Sequence, residues 1–261
     1  MKKIHFITGL PRSGSTLLSS ILNQNPKFQA SISGPLYGFV KNIISNSSAA
    51  AVRTHCPIEK RKELILNLVN TYYNESNDVV FDTNRSWSLD TPLLADLYPD
   101  AKIIVCVRSI PWIIDSFETL VTNNIYDVSR MFSKENAHDV YSRTDELMAD
   151  KGIVGGPYKG VKQAIAGPKR ENILIVEYDQ LATDPKSTIE RIYKFINEPM
   201  FDHNFNNVEG SYDEYDNDLN VIGLHRVRTK VEFIKRRPII PFDIYAKYEK
   251  WDQIIAAVLR N

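Results

Sequence analysis

Four short runs of apolar, largely β-branched residues punctuate the first two thirds of the chain: IHFITG, VVFDT, KIIVCVR and NILIVEY. Each is bounded by turn chemistry, so each reads as a strand. None alternates apolar with polar along its length, which predicts parallel strands covered on both faces. A weaker fifth strand is FQASI, residues 28 to 32. Helical patterns fall between them. Ser15 to Asn23 follows the first strand, and Ile58 to Tyr73 carries Leu64, Ile65, Leu68, Val69 and Tyr72 as an apolar stripe. Thr183-Asp184-Pro185 is a helix start, after which Ile189, Ile192, Tyr193 and Ile196 recur at helical spacing. Phe242 to Leu259 places Ile244, Tyr248, Trp251, Ile255 and Val258 on one face.

Strands alternating with helices predict an α/β fold: a three-layer sandwich around a central parallel sheet of about five strands. No repeat or low-complexity linker divides the 261 residues, so one domain over 1–261 is expected. Composition is that of an ordinary globular chain, 43% hydrophobic and 25% charged. Lys and Arg balance Asp and Glu at 32 each, and nothing in that balance favours nucleic acid or an anionic membrane as partner. Any basic site must be local. Cys56 and Cys106 have no metal-ligand spacing, and Cys106 reads as a small buried side chain within KIIVCVR. The first strand begins at Ile4 and no apolar stretch approaches 18 residues. These points predict a soluble, cytoplasmic protein with no metal site.

Two stretches break the balance locally. Glu209 to Asp218 holds five acids and no base, and His225 to Arg237 holds six Lys or Arg against one Glu. They could be two solvated loops that compensate one another. Arg226, Arg228 and Lys230 alternate, however, so in an extended segment they share one face.

The candidate chemistry begins at GLPRSGST, Gly9 to Thr16, between the first strand and the first helix. In that context backbone N–H groups of residues 13 to 16 converge at a helix N-terminus, where an anion is favoured. The triphosphate pattern would put Lys where Ser15 stands; here the positive charge is Arg12, three residues earlier. A donor with one phosphate in the loop needs less cationic clamping, and no metal.

PRSGSTLL resembles the 5′-phosphate loop of sulfotransferases, which use 3′-phosphoadenosine 5′-phosphosulfate (PAPS). The family's second signature is an Arg at a strand end with a Ser eight residues on; Arg108 and Ser116 fit it. NILIVEYDQLATDPKSTIERIYKFI resembles the family's late strand, turn and Asp-Pro helix, with Tyr178 at the position near adenine, and FDTNRSWSLDTPLLADLYPDAKIIVCVRS resembles its middle segment. The pieces cover most of residues 4 to 200 in order.

The resemblance implies sulfuryl transfer from PAPS to a hydroxyl or amine of a small-molecule or carbohydrate acceptor, leaving adenosine 3′,5′-bisphosphate. It implies Arg12 and the Ser13, Gly14, Ser15 and Thr16 backbone on the 5′-phosphosulfate, and Arg108 with Ser116 on the 3′-phosphate. Arg226 and Arg228, with Lys230, would close over the same phosphate. The base departs from the family: Asn84 and Ser33 stand where relatives carry His or Glu. Asp82, at the end of VVFDT, is the first candidate base and His55 the second. Arg85 would face the sulfuryl oxygens, and Trp87, Tyr37 and Phe39 are candidates for an acceptor pocket. Two alternatives remain open at this point: a small-molecule P-loop kinase or NTPase using Asp82 for Mg²⁺, and a non-catalytic protein that binds the bisphosphate.

Overall fold

The computed structural model describes residues 2–75, 77–126, 131–210, 216–217 and 221–259, the last seven by backbone alone. Its strands are β1 (Lys3–Gly9), β2 (Phe28–Ala30), β3 (Val79–Thr83), β4 (Ile103–Val107) and β5 (Ile173–Glu177). They form one parallel sheet in the order β2-β3-β1-β4-β5. All five expected runs are present and some are trimmed. Arg108 and Tyr178 fall just past β4 and β5 because the chain turns out of the sheet there, and FQASI pairs only through Ala30.

The helices, in chain order, are α1 (Ser15–Leu22), α2 (Leu36–Ser48), α3 (Ala50–Arg53), α4 (Ile58–Tyr72), α5 (Thr91–Leu97), α6 (Ile110–Asn123), α7 (Val140–Met148), α8 (Gly155–Ala166), α9 (Tyr178–Thr183), α10 (Pro185–Ile196) and α11 (Phe242–Leu259). Consecutive strand residues feed opposite layers, as the pleat requires. Phe6, Val80, Ile103 and Val105 join the side chains of α2, α4, α6, α8 and α11 on one face. Ile7, Phe81, Ile104 and Cys106 join those of α1, α9 and α10 on the other. Unbroken apolar strands are thus the sequence record of a sheet buried twice. Burial pushes the Cys106 thiol up to about 12, so it stays a neutral core atom.

Local chemistry sets the helix ends. Asp184 caps α10 by accepting from the Ser187 N–H at 3.2 Å, with Pro185 in the first turn. Ile189, Ile192, Tyr193 and Ile196 are then all buried, each worth roughly 1.5–3 kcal/mol against exposure. In α4 the inward face is Ile65 and Val69, continued by Tyr73, whereas Leu64 and Tyr72 are exposed. Of the stripe expected there, Ile65 and Val69 face inward, Leu68 is half-buried, and Leu64 and Tyr72 do not join the core. In α11 Ile244 and Tyr248 are buried, and the side chains of Ile255 and Val258 lie outside the described residues. Among the described residues, no helix is long and apolar enough to cross a membrane.

β1 is central, between β3 and β4; the chain runs from β1 out to β2, returns through β3 and then crosses β1 to β4. In such sheets the crevice at the carboxyl edge beside that reversal is the ligand position. Gly9 makes the exit possible: its φ is +125°, and a Cβ would stand 2.0 Å from the Cys106 carbonyl oxygen.

Candidate active site

The carboxyl ends of β1, β3, β4 and β5 open on one cleft of about 1530 Å³. Gly9 to Arg12, Gly14 to Thr16, Asn84, Arg108 and Tyr178 line it, each within a few residues of a strand end. The far wall is the segment Gly223 to Glu232.

The loop after β1 is anchored from below. Leu10 N–H donates to the Cys106 carbonyl at 2.9 Å. The Ser13 hydroxyl, 1% exposed, lies 2.5 Å from the Leu10 carbonyl and 3.0 Å from that of Cys106. Ser13 therefore spends its side chain on the protein and offers only its N–H outward. Arg12 sits at φ +56° and Gly14 at φ +88°, so the loop holds two left-handed residues in three. For a non-glycine this costs on the order of 1 kcal/mol and persists where the surroundings enforce it. A Cβ on Gly14 would approach Tyr178 Cδ2 to 2.8 Å. Among the described residues, the N–H groups of Ser13 to Thr16 find no protein acceptor, and they open α1. Such a row of donors at a helix N-terminus suits an anion.

Arg12, Ser116, Arg108 and Tyr178 come together beside this loop. Arg12 Nε donates to Ser116 Oγ at 3.0 Å, and its Nη1 donates to the Leu224 carbonyl. Arg108 Nη1 donates to the Arg12 carbonyl at 3.2 Å, and the Arg108 guanidinium stands 4.3 Å from the Tyr178 ring centroid. Arg108 Nε is buried with no acceptor among the described residues. Burial and then the neighbouring Arg108 lower the Arg12 pKa to about 10, while Asp216 and Tyr178 oppose the shift. Arg108 is lowered too, by burial first, with Arg236 adding to it. Two confined guanidinium groups, each with its charge disfavoured by burial, define a place where an anion is stabilising.

Arg226, Arg228 and Lys230 are exposed residues on the cleft wall, while Val227 and Val231 turn into the core. The alternation expected of an extended segment is present. Val208 N–H donates to the Thr229 carbonyl at 2.6 Å, and Val231 N–H to that of Phe205 at 2.8 Å. Two residues the sequence did not single out fix the ends of this strap. Arg236 pairs with the fully buried Asp115, stands 5.2 Å from the Trp112 ring, and lines the cleft. Asp216, 1% exposed, accepts from His225 through both oxygens. Asp216 and His225 belong to the acidic and basic stretches noted for charge. Ser211 to Tyr215 and Asp218 of the acidic stretch lie outside the described residues.

The two candidate bases are not in the cleft. Asp82 is 0% exposed, and its carboxylate accepts from Tyr73 Oη and Trp87 Nε1, each at 2.6 Å. Burial raises its pKa against those two donors. The cause is strand parity: Asp82 shares the face of Val80, beneath the helices, rather than turning to the edge. His55 is an exposed residue beyond α3, away from the cleft. Trp87 is 2% exposed and belongs to the core, whereas Tyr37, Phe39, Ser33 and Arg85 line the cleft. Asn84 joins two cleft segments: Nδ2 donates to the Gly34 carbonyl at 3.0 Å, and Oδ1 accepts from Ser86 N–H at 2.9 Å.

Fold and site together define an α/β protein with a phosphate-type loop at the carboxyl edge of its sheet. A profile of the sulfotransferase family matches residues 5–202, and the chain belongs to that family. The sulfotransferase domain from the curacin biosynthetic pathway is 16% identical with a TM-score of 0.54, over 97% of this chain and 92% of that one. The sulfotransferase from Alicyclobacillus acidocaldarius is 14% identical with a TM-score of 0.54, over 84% and 90%. Mouse sulfotransferase SULT7A1, solved in complex with PAP, is 14% identical with a TM-score of 0.52, over 100% and 86%. At these identities the likeness is one of fold. No curated protein matches the chain by sequence.

Proposed function

We propose that the protein transfers a sulfuryl group from PAPS to a hydroxyl or amine of a small-molecule acceptor. The observation that carries this reading is the junction of Arg12, Ser116 and Arg108. Two sequence signatures about a hundred residues apart meet through 3.0 and 3.2 Å hydrogen bonds around one anion-favouring corner. The residues present fit such a donor. The N–H groups of Ser13 to Thr16 suit the 5′-phosphosulfate, and the unpaired, buried Arg108 Nε suits a second phosphate beside Ser116. Tyr178, already against Arg108 and Gly14, offers a ring face to adenine, and Arg226 and Arg228 can fold onto the phosphates from the strap. The complex of the mouse relative with PAP supports the same donor.

In sulfuryl transfer, negative charge grows on the oxygen that leaves with the 5′-phosphate. Arg12 and the loop N–H groups are fixed before reaction, so they stabilise that charge without reorganising. Ile32, Phe39, Phe117, Leu120, Met131 and Ile153 share the cleft with the cations. That mixture supports an acceptor with an apolar body and one polar end. The kinase alternative loses its footing: Ser15 stands in place of the lysine, and Asp82, the acid it would need, is sealed under Trp87.

The test is to incubate the protein with PAPS and a set of phenols, alcohols and amines, and to quantify adenosine 3′,5′-bisphosphate and sulfated product. Formation of both, reduced on the order of 10²-fold in Arg12→Ala, is expected. Turnover of ATP with Mg²⁺ and none of PAPS would sink the proposal.

A further inference from the structure

We propose that Gly38 sets the width of the acceptor end of the cleft and so decides how bulky an acceptor can be; this rests on the sulfotransferase reading above. The donor residues Arg12, Arg108 and Tyr178 follow β1, β4 and β5, whereas α2 follows β2, on the opposite side of β1. α2 therefore walls the end of the cleft away from the donor. Its entry is tied to the end of β3, because Gly34 N–H donates to the Thr83 carbonyl at 2.9 Å and Asn84 Nδ2 donates to the Gly34 carbonyl at 3.0 Å.

One side of α2 is fixed to the fold. Leu36 and Val40 are buried, and Tyr37 packs edge-on against Trp87 at 5.0 Å and donates to Asp90 at 2.8 Å. Lys41 pairs with the same Asp90 at 3.0 Å. Pro35, Gly38 and Asn42, spaced three and four apart, form a different stripe, and all three line the cleft. A side chain at position 38 would therefore project over the cleft from a helix held on its other side.

Neither packing nor backbone geometry asks for glycine there. Glycine within a helix is a less stable choice than alanine, and Gly38 does not have a positive φ. A Cβ on Gly38 would meet no atom within 4 Å. Gly155 and Gly160, also helical, differ: a Cβ would stand 2.2 Å from the Ala149 carbonyl oxygen at the first and 2.4 Å from Ser88 Oγ at the second. Their smallness is set by packing, whereas the space left at Gly38 is cleft space. Phe39 beside it is 45% exposed and lines the same wall. The cleft-lining residues between 32 and 42 include no charged side chain. What lies over Gly38 is thus an uncharged, largely apolar part of the acceptor, and this wall selects by size.

The experiment uses the full chain with PAPS and two acceptors of one and two rings, phenol and 2-naphthol, reading kcat/KM for each. Thermal stabilisation by adenosine 3′,5′-bisphosphate is read in parallel on the same variants. In Gly38→Leu the ratio of kcat/KM for phenol to that for 2-naphthol is expected to rise about tenfold or more, with the bisphosphate-induced shift kept. Gly38→Ala is expected to melt at or above the wild-type temperature. Gly156→Ala, in α8 and outside the cleft lining, is expected to leave the ratio as it is.

A ratio in Gly38→Leu within about threefold of wild type, or loss of both acceptors together, would overturn the assignment. So would loss of the bisphosphate-induced shift, which would put Gly38 under the donor. A lower melting temperature in Gly38→Ala would overturn it too, because glycine would then serve the fold. Wild-type protein that is stabilised by the bisphosphate but transfers to neither ring would show that no apolar acceptor end lies over Gly38. Wild-type protein that is not stabilised by the bisphosphate would remove the sulfotransferase reading itself, and the role of Gly38 with it. If Gly38→Leu does not fold, Gly38→Ala carries the same comparison, with a rise of about threefold or more expected and an unchanged ratio contradicting it.

Discussion

Arg12 Nε donates a 3.0 Å hydrogen bond to Ser116 Oγ across 104 residues of sequence. The bond fastens the loop after β1 to α6, and it brings the two expected phosphate subsites into contact. A hydrogen bond to a charged partner is worth about 1.5–3 kcal/mol. Ser116→Ala is therefore expected to weaken adenosine 3′,5′-bisphosphate binding by about 10- to 100-fold, measured by calorimetric titration. An unchanged affinity would remove Ser116 from the site.

Gly14 has φ +88° and the Tyr178 ring 2.8 Å from where its Cβ would be. Gly14→Ala must displace Tyr178 and, with it, the guanidinium stacked on that ring. The expected result is a loss of about 1 kcal/mol or more in stability, by denaturant melts, and a larger proportional loss of nucleotide binding. Stability lost with binding intact would show that Tyr178 is not part of the site.

Asp82 accepts from Tyr73 and Trp87, is fully buried and does not line the cleft. Asp82→Asn keeps the shape and disturbs those two bonds, so it should cost about 1–3 kcal/mol of stability. Turnover per folded molecule should stay near wild type. A 10²-fold fall in turnover with stability preserved would restore Asp82 as the base.

His5 is buried on β1, accepts from Lys102 N–H at 3.0 Å through Nδ1, and has its pKa lowered from 6.5 to about 4 by burial, then by Lys3 and Lys102. In the unfolded chain it protonates near 6.5, while in the folded chain it does not until about 4. Between those values the unfolded state binds more protons, so stability falls as pH falls through the window and levels off below it. The loss is at most about 3 kcal/mol. His203 is lowered in the same direction by burial. Denaturant melts from pH 7 to pH 4 should show this slope, flattened in His5→Gln.

The parts of the molecule that could be read from sequence are those written in local chemistry. β1, β3, β4 and β5 announce themselves because a strand covered on both faces is apolar at most of its positions. The loop, Arg108 and Ser116 could be placed at the sheet's carboxyl edge because each follows a strand end at a short offset. The base could not. Asp82 looks like a strand-end carboxylate at the catalytic edge, yet its position two after Val80 turns it to the covered face. The contact of His225 with Asp216 at the end of the strap is equally hidden: it forms only through the path of the chain between two charge runs, and no period or spacing marks it. The α4 stripe held at Ile65 and Val69 and not at Leu64 and Tyr72 for a related reason: Leu64 and Ile65 are both apolar, and only tertiary packing chooses Ile65.

A cleft that holds Arg12, Arg108 and Ser116 in one corner should prefer a 3′-phosphorylated adenosine nucleotide to a triphosphate. The most direct measurement is calorimetric titration of wild type and Arg108→Ala with adenosine 3′,5′-bisphosphate, and with ATP and Mg²⁺. Wild type is expected to bind the bisphosphate, Arg108→Ala to lose it, and ATP to bind much more weakly. Binding of ATP–Mg²⁺ with none of the bisphosphate would contradict that preference.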